Sequence, residues 1–246
     1  MNSASEYHFK VIAKIKSDFP DKFGIPRQSG LLKSLRSAIR FEQEYRIADA
    51  LRGLEGFSHL WILWIFSENV RPDEKGENRW SPTVRPPRLG GNKRLGVFAT
   101  RSSFRPNPLA MSCVKIEEIR NVTDGEYNGP EIVVSGADLM DDTPIVDIKP
   151  YLPYADRIEG AAGGFAHEVM FNSLQVSIPE KLRTMLREKH SFTEEKMEAL
   201  TEILAENPVP AYQKNPDRIY GFKFAGVDIK FKIQNEVLTV LEISAL

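Results

Sequence analysis

Residues 60–66 read LWILWIF and form the longest uninterrupted apolar run in the chain. Most of these residues are aromatic or β-branched, and the run has the length of a strand. Continuous apolarity predicts a strand that is buried on both faces. The run is far shorter than the roughly 20 apolar residues that a membrane-spanning helix needs. We therefore interpret it as a central strand of a folded core, in a protein with no membrane partner.

Apolar segments on both sides of this run are also typical of strands. They are rich in Val, Ile and Phe and are separated by Gly, Pro and Asn. The candidates are residues 9–15, 95–100, 111–119 and 131–136. Residues 47–54 predict one short helix that ends at Gly56. Many short strands without intervening helices favour an antiparallel β-barrel or sandwich over a doubly wound α/β sheet.

The composition changes at residues 159–165 (EGAAGGF), which predict a linker. Two amphipathic helices follow, each preceded by a capping-box sequence that starts at Ser177 or at Ser191. Three short strands close the chain, at residues 219–224, 227–233 and 237–243. The sequence thus predicts a mainly β domain of residues 1–160 and a smaller α+β C-terminal domain of residues 161–246.

Overall composition excludes several classes of site. The chain has 246 residues, one cysteine, four histidines and a net charge of -1. One cysteine cannot form an intramolecular disulfide, and so few soft ligands argue against a zinc site, so we expect no metal. The balanced charge predicts no global affinity for nucleic acid. The first residues lack a secretory signal, which predicts a cytoplasmic protein.

Charge is unbalanced in one place, residues 81–115. This stretch contains no Asp or Glu but seven cations: Arg85, Arg88, Lys93, Arg94, Arg101, Arg105 and Lys115. Arginine forks match phosphate and carboxylate groups. A solvated basic face is the simpler interpretation. However, the cations alternate with stiff and permissive backbone, such as Pro86-Pro87 and Gly90-Gly91, which favours a loop that holds donors in fixed directions for an anionic ligand.

Common catalytic motifs are missing. The chain contains no Walker A loop, no G-x-G-x-x-G after a strand and no G-x-S-x-G, and Cys113 is more typical of a core position than of a nucleophile. A second polar cluster, residues 135–144 (SGADLMDDTP), carries Asp138, Asp141 and Asp142 after an apolar strand. It fits a turn with side-chain to backbone hydrogen bonds. A role in ligand binding or as a base stays open.

Five segments carry a family resemblance. They are residues 23–31 (FGIPRQSGL), 50–66 (ALRGLEGFSHLWILWIF), 82–108 (PTVRPPRLGGNKRLGVFATRSSFRPNP), 141–154 (DDTPIVDIKPYLPY) and 210–212 (PAY). With them the chain resembles the TrmO (YaeB-like) family, S-adenosylmethionine-dependent tRNA methyltransferases. The resemblance implies methylation of N6 of threonylcarbamoyladenosine next to the anticodon. It also implies a small antiparallel β-barrel, a non-Rossmann methyltransferase fold, and a homodimer that binds the tRNA anticodon loop.

The resemblance also implies the site residues. The cofactor, S-adenosyl-L-methionine, would contact Ser29, Gly30, Leu31, Ser67, Glu68, Arg101, Met111, Ser135, Gly136, Ala137 and Asp138. Two positions depart from the family pattern, the Ser67-Glu68 pair and Asp142. Asp141 is the candidate base or orienting group, and Arg105 and Asn107 are the further catalytic candidates. Arg85, Arg88, Lys93 and Arg94 would bind RNA phosphates. The alternative function is a non-catalytic RNA- or nucleotide-binding β-barrel.

Overall fold

The structure is a computed structural model that describes residues 7–69, 80–86, 93–168, 173–209, 215 and 217–246. Within these ranges the chain is mainly β, as the sequence predicts. No helix in this part of the chain is long and apolar enough to cross a membrane.

Six strands close into a barrel. They are β1 (Ala13–Lys16), β2 (Arg36–Phe41), β3 (His59–Ile65), β6 (Leu109–Asp124), β7 (Tyr127–Ser135) and β8 (Pro144–Pro150). Their order is β1-β2-β7-β6-β3-β8, each neighbouring pair is antiparallel, and β8 pairs back onto β1. Two short strands, β4 (Thr83–Val84) and β5 (Leu95–Gly96), form a separate ribbon.

Strand β3 is buried on one face only, so the expectation of burial on both faces is wrong. Leu60, Ile62 and Trp64 are buried, whereas the alternate residues are partly exposed. The alternation follows from the pleat, which sends successive side chains to opposite faces of a strand. The barrel interior takes one set. The other set leaves an apolar outer face that includes Trp61 and Leu63.

Several predicted elements differ from those observed. Strands β2 and β8 were not predicted, because polar and apolar residues do not alternate cleanly in them. Ser37 is on the buried face of β2 and Ala38 on the other face, and in β8 Asp147 follows the buried Ile145 by two residues, where clean alternation needs an apolar residue. The strand expected at 95–100 is only the two residues of β5, followed by a 3-10 turn at Val97–Ala99. The helix expected at 47–54 is two 3-10 turns, Ala48–Leu51 and Leu54–Gly56.

The rest of the described chain forms a helix-covered sheet. A short helix, α1 (Pro153–Asp156), follows the barrel. The later elements are β9 (Gln175–Ser177), α2 (Glu180–His190), α3 (Glu194–Ala205), β10 (Tyr220–Phe224), β11 (Val227–Gln234) and β12 (Val237–Ala245). The sheet order is β10-β11-β12-β9, with β9 parallel to β12.

The two predicted capping boxes are both misplaced. Ser177 lies in β9, and Pro179 occupies the N-cap position of α2. Ser191 ends α2 in a left-handed conformation with φ 54° instead of starting α3. Thr193 is the N-cap of α3, and its side chain accepts a hydrogen bond from the Lys196 backbone N–H at 3.2 Å. Each serine lies two residues before the observed N-cap.

Two hydrophobic cores hold the fold together. The barrel core includes Ile15, Ile39 and Ile132. The second core lies between the C-terminal sheet and its helices. It also takes in Phe19, Leu32 and Leu35, which come from the chain between β1 and β2. The domain boundary near residue 160 stays a prediction. These three residues precede it in the sequence but pack with residues that follow it.

Candidate functional site

A cavity of about 560 Å³ opens where β3 ends and β6 begins. This volume lies within the range of roughly 300–1,000 Å³ that small-molecule sites occupy. Four stretches of chain line it: the loop after β1, the end of β3, the loop before β6 with the start of β6, and the turn between β7 and β8. The lining residues are Lys22, 25–28, 63–68, 100–101, Ser103, Arg105, 109–112, Asp138, Met140 and Thr143.

The β3–β6 wall contributes side chains from both faces of the barrel sheet. Trp64 and Ser112 come from the inner face, whereas Leu63 and Met111 come from the outer face. The Phe66 backbone N–H donates to the Pro108 carbonyl at 2.9 Å and extends the pairing beyond β3. Met111 is 55% exposed although it is apolar. This wall therefore offers a flat apolar surface at the mouth of the cavity.

A chain of hydrogen bonds leads from the barrel interior to Asp138. Trp64 Nε1 donates to Ser112 Oγ at 2.9 Å, and Ser112 Oγ donates to Asp138 Oδ1 at 2.6 Å. Trp64 and Ser112 are buried, so both side chains are held in place and the Ser112 hydroxyl points to Asp138. Burial raises the pKa of the Asp138 carboxyl, while the Ser112 hydroxyl, backbone N–H groups and the Arg101 charge act in the opposite direction. Asp138 is thus a pre-oriented acceptor on the cavity wall.

Two backbone loops meet behind Asp138. The Gly30 N–H donates to the Gly136 carbonyl at 2.8 Å, and the Gly136 N–H donates to the Leu35 carbonyl at 3.1 Å. The Cys113 N–H donates to Ser29 Oγ at 3.2 Å. Gly136 has φ +78°, and a Cβ there would come within 3.1 Å of the Gly30 backbone. Glycine at this position therefore allows the close approach of the two loops.

Of the predicted cofactor residues, five line the cavity. They are Ser67, Glu68, Arg101, Met111 and Asp138. The remaining six are absent from the lining: Ser29, Gly30, Leu31, Ser135, Gly136 and Ala137. Leu31 is exposed. The Ser135 hydroxyl donates to Glu117 at 2.6 Å, and Ala137 is buried in the barrel core.

Cations are concentrated on one side of the cavity. Arg101 donates to the Gln28 side-chain oxygen. Arg105 donates to the carbonyls of Thr100 at 2.7 Å and Val97 at 3.3 Å, and so holds its own loop together. Lys22 and Arg27 were not predicted as site residues. They lie in the loop after β1, and only the folded chain shows that their side chains reach the wall.

Two predicted catalytic residues lie away from the cavity. The Asp141 carboxylate accepts a hydrogen bond from the Ser17 backbone N–H at 3.0 Å and lies 3.8 Å from Lys16 Nζ. Asn107 accepts from the Leu109 N–H at 2.7 Å through its backbone carbonyl, and its side chain is exposed. Neither residue is on the cavity wall. The Asp141 carboxylate stabilises the turn before β8, and its role as a base stays a prediction.

The predicted RNA contacts are on the surface. Arg85, Lys93 and Arg94 are exposed, and Arg94 donates to Thr83 Oγ1 at 2.9 Å across the β4–β5 ribbon. Arg88 lies outside the described residues, as does the Pro210–Tyr212 segment. In the ranges that the structure covers, no group of three or more His, Cys, Asp or Glu residues could hold a metal ion.

Models of two protein domains match the chain. The tRNA-methyltransferase O N-terminal domain matches residues 14–157, and the TrmO C-terminal domain matches residues 172–246. Together the two models cover most of the 246 residues.

Curated proteins and solved structures agree with this match. The chain is 41% identical over 213 residues to the tRNA (adenine(37)-N6)-methyltransferase of Escherichia coli, covering 87% of this chain and 86% of that protein. It is 36% identical over 236 residues to a putative S-adenosylmethionine-dependent methyltransferase of Pseudomonas aeruginosa, covering 95% and 96%. A crystal structure of TrmO from Pseudomonas aeruginosa superimposes with a TM-score of 0.77 and 28% identity, over 100% of both chains.

Proposed function

This chain belongs to the tRNA-methyltransferase O family, and we propose that it methylates N6 of adenosine 37 in tRNA when that base carries a threonylcarbamoyl group. As a member of this family it is an enzyme, an S-adenosylmethionine-dependent tRNA (adenine-N6) methyltransferase. The observation that carries the proposal is the cavity at the end of the barrel, with Asp138 on its wall and arginines beside it.

The residues of the cavity fit S-adenosylmethionine. Its amino acid part carries a carboxylate and an ammonium group, which match Arg101 and Asp138 respectively. Its adenine ring matches an apolar wall that includes Leu63 and Met111. We propose that Ser67 and Glu68 complete this wall. Ser29, Gly30, Ser135, Gly136 and Ala137 keep Asp138 in place from behind. Leu31 is exposed and stays a cofactor contact by family resemblance.

The reaction needs alignment more than covalent chemistry from the protein. S-adenosylmethionine supplies an electrophilic methyl group on its sulfonium. In the proposed step the S–CH₃ bond breaks, the N6–CH₃ bond forms and N6 loses a proton. Asp138 and Arg101 fix the orientation of one reactant, which reduces the entropic part of the barrier. Arg105 keeps the 97–105 loop rigid through its two carbonyl contacts. Glu68, the exposed carboxylate of the wall, is our candidate acceptor for the proton.

Exposed cations on the β4–β5 ribbon and near it would contact the anticodon-loop phosphates. Arg85, Lys93 and Arg94 are solvent-accessible and come from the acid-free stretch. Arg88 belongs to the same proposal by sequence. Arg94 is held by Thr83, so its guanidinium is oriented on the surface before RNA arrives.

A homodimer and a cytoplasmic location are part of the proposal. Two apolar side chains at the cavity, or in the loop that borders it, are half-exposed: Met111 at 55% and Phe104 at 52%. A second copy of the chain would cover such a surface. Sedimentation velocity tests this, since we expect twice the monomer mass and a monomer would contradict the dimer.

The methyl transfer is tested with tRNA that either carries or lacks the threonylcarbamoyl group. Each tRNA is incubated with the protein and S-adenosylmethionine, digested to nucleosides and analysed by mass spectrometry. We expect threonylcarbamoyladenosine to gain one methyl group and unmodified adenosine 37 to gain none. Methylation of unmodified tRNA alone would contradict the substrate. No methylation of a confirmed substrate would contradict the enzyme.

A further inference from the structure

The chain between β1 and β2, residues 17–35, bridges the two cores of the molecule, and we call it the anchor segment. Its middle part, residues 25–28, lines the cavity together with Lys22. Its two flanks contribute Phe19, Leu32 and Leu35 to the second core. A loop of the candidate site is therefore built on residues that pack against the C-terminal sheet and helices, although its own sequence lies within the barrel part of the chain.

Polar contacts fasten the flanks of the anchor segment to the same C-terminal elements. The Ala225 N–H donates to the Asp18 carbonyl at 2.8 Å, and Lys196 Nζ lies 3.0 Å from Asp18 Oδ1. At the other flank, Glu202 accepts from the Ser34 N–H at 3.2 Å and from the Ser34 hydroxyl at 3.3 Å. These contacts come from α3 and from the β10–β11 turn, so the segment is held at both ends.

Successive residues of the anchor segment, from Gly24 to Gln28, contact the C-terminal elements, the cavity or both. Gly24 lies against the Phe222 ring so closely that a Cβ would come within 2.5 Å of it. Ile25 packs against the second core and also lines the cavity. Pro26 is buried and lines the cavity. Arg27 donates to the Val209 carbonyl at 3.4 Å, and Gln28 accepts from Arg101.

Burial explains why Phe222 can set the position of this loop. Phe222 is 2% exposed, and its ring contacts the rings of Phe224 and Phe231 in the second core. Packed aromatic rings in a dense core have few alternative positions. Gly24 has φ +90°, a conformation that glycine adopts at low cost. The Phe222 ring therefore restricts Gly24, and with it residues 25–28, to one position.

We propose that the C-terminal elements position the cofactor loop through Phe222, so that this part of the chain sets the affinity for S-adenosylmethionine without touching it. Phe222 is then a positioning residue: it acts through Gly24 on residues 25–28, and through Gln28 on Arg101. The inference rests on the proposed function, because it takes the cavity to be the S-adenosylmethionine site.

The test compares two variants that each shrink one buried side chain of the second core. Phe222→Leu removes the ring beneath Gly24. Leu238→Val is the control, since Leu238 lies on β12, two strands from Phe222 in the same sheet and fully buried. S-adenosylmethionine binding is measured by isothermal titration calorimetry, melting by circular dichroism and turnover at saturating cofactor.

We expect Phe222→Leu to raise the Kd for S-adenosylmethionine about three- to tenfold, which corresponds to about 0.7–1.4 kcal/mol. Turnover at saturating cofactor should stay within about twofold, because the reacting groups are unchanged once the site is filled. Leu238→Val should lower the melting temperature to a similar extent and leave the Kd within about twofold. An unchanged Kd in Phe222→Leu, or an equal rise in both variants, overturns the proposal.

A second measurement on the unmodified protein does not depend on the variants folding. Coupling between two sites is reciprocal, so cofactor in the cavity should stabilise the support beneath the loop. We expect S-adenosylmethionine to slow hydrogen exchange of β10 amides, at Tyr220–Phe224, and unchanged exchange there overturns the positioning role. Wild-type protein that does not bind S-adenosylmethionine would instead overturn the proposed function itself, and with it this inference.

Discussion

Asp138 has opposite effects on folding and on binding. Burial raises the pKa of its carboxyl, so the ionised form is disfavoured in the folded chain. The same carboxylate is the acceptor that we assign to the cofactor. Groups at functional sites commonly reduce stability in this way because they are placed for a ligand.

Replacement of Asp138 by Asn should therefore separate the two effects. We expect Asp138→Asn to raise the Kd for S-adenosylmethionine about 10- to 100-fold, because a hydrogen bond to a charged group contributes about 1.5–3 kcal/mol. The melting temperature at neutral pH should stay the same or rise. Calorimetric titration and thermal melting measure the two quantities. Wild-type affinity in Asp138→Asn would remove this residue from the site.

The sign of the pH dependence follows from the raised pKa. Below the ordinary carboxyl pKa, folded and unfolded chains both carry a protonated Asp138, and it contributes no pH-dependent free energy. As the pH rises from the unfolded-state pKa to the raised folded-state pKa, the unfolded chain loses its proton first and stability falls. The free energy of unfolding of Asp138→Asn relative to wild type should increase over this window and then stay constant. A difference that shrinks with rising pH would contradict this assignment.

Substitution of Asp141 tests whether this residue is the base that the sequence analysis predicts. Its carboxylate is bonded to the Ser17 N–H and lies off the cavity wall. We expect Asp141→Asn to keep turnover within about threefold of wild type and to lower the free energy of unfolding by about 1 kcal/mol, since one backbone hydrogen bond is weakened. A loss of turnover above a hundredfold with unchanged cofactor affinity would restore Asp141 as a catalytic group.

Only some of the residues that line the cavity were predicted from the sequence. Arg101 and Asp138, which the family resemblance implies as cofactor contacts, both line the cavity. Lys22 and Arg27 were not predicted, although Ser29 to Leu31 beside them were, because only the folded chain shows which residues of this loop line the cavity. Whether Asp138 or Asp141 faces the cavity depends on the direction of one turn, which composition does not encode.

At the scale of elements, Glu131 joins three strands of the barrel. It is 1% exposed on β7, and its carboxylate lies 2.8 Å from Arg40 Nε on β2 and 2.7 Å from Arg120 Nη2 on β6. Both arginines extend towards solvent, with side chains 22% and 48% exposed. Such a carboxylate needs both partners, because an unpaired buried charge is strongly unfavourable.

Loss of this carboxylate should destabilise the barrel. We expect Glu131→Gln to lower the free energy of unfolding by about 1.5–3 kcal/mol, because hydrogen bonds from two arginines to a charged acceptor are weakened. Urea denaturation measures the change. The control is Glu242→Gln, which removes an exposed pair with Lys230 and should cost less than about 1 kcal/mol. Equal losses in the free energy of unfolding would show that the buried Glu131 contributes no more to stability than an exposed ion pair.

Helix caps show why element boundaries were less predictable than the elements themselves. Both C-terminal helices were expected from their apolar stripes, and both exist. Their starts were placed too early, because Ser177 pairs with β12 and Ser191 takes a left-handed conformation that ends α2. A serine has no local signal that distinguishes these roles, so tertiary pairing decides between them.

At the scale of the whole molecule, a net charge of -1 is compatible with tRNA binding only if the cations are segregated. Arg85 and Lys93 are exposed near the β4–β5 ribbon. We expect the double change Arg85→Ala and Lys93→Ala to reduce the slope of log Kd against log salt by about 1.5, because each phosphate contact contributes about 0.7–0.9. Fluorescence anisotropy between 50 and 200 mM salt, concentrations over which the effect is large, measures it.

The matched control for RNA binding lies on the other sheet. Lys230 on β11 is paired with Glu242 at 3.0 Å, and Lys230→Ala should leave the slope unchanged. A slope that falls equally in both proteins would place RNA on the C-terminal sheet as well.

The barrel and the α+β sheet as classes were predictable from the spacing of strands and helices. The anchor segment that joins them was not, because it pairs residues far apart in the chain.

The contact between Gly24 and Phe222 sets an order of events during synthesis. Phe222 follows Gly24 by 198 residues, as their numbers show (222 − 24), and ribosomes add about 5–20 residues per second. The support for the cofactor loop therefore emerges roughly 10–40 s after the loop itself. A nascent chain that has completed only the barrel would hold an unsupported cavity loop. The cofactor would then bind with its full affinity only after the C-terminal sheet has formed.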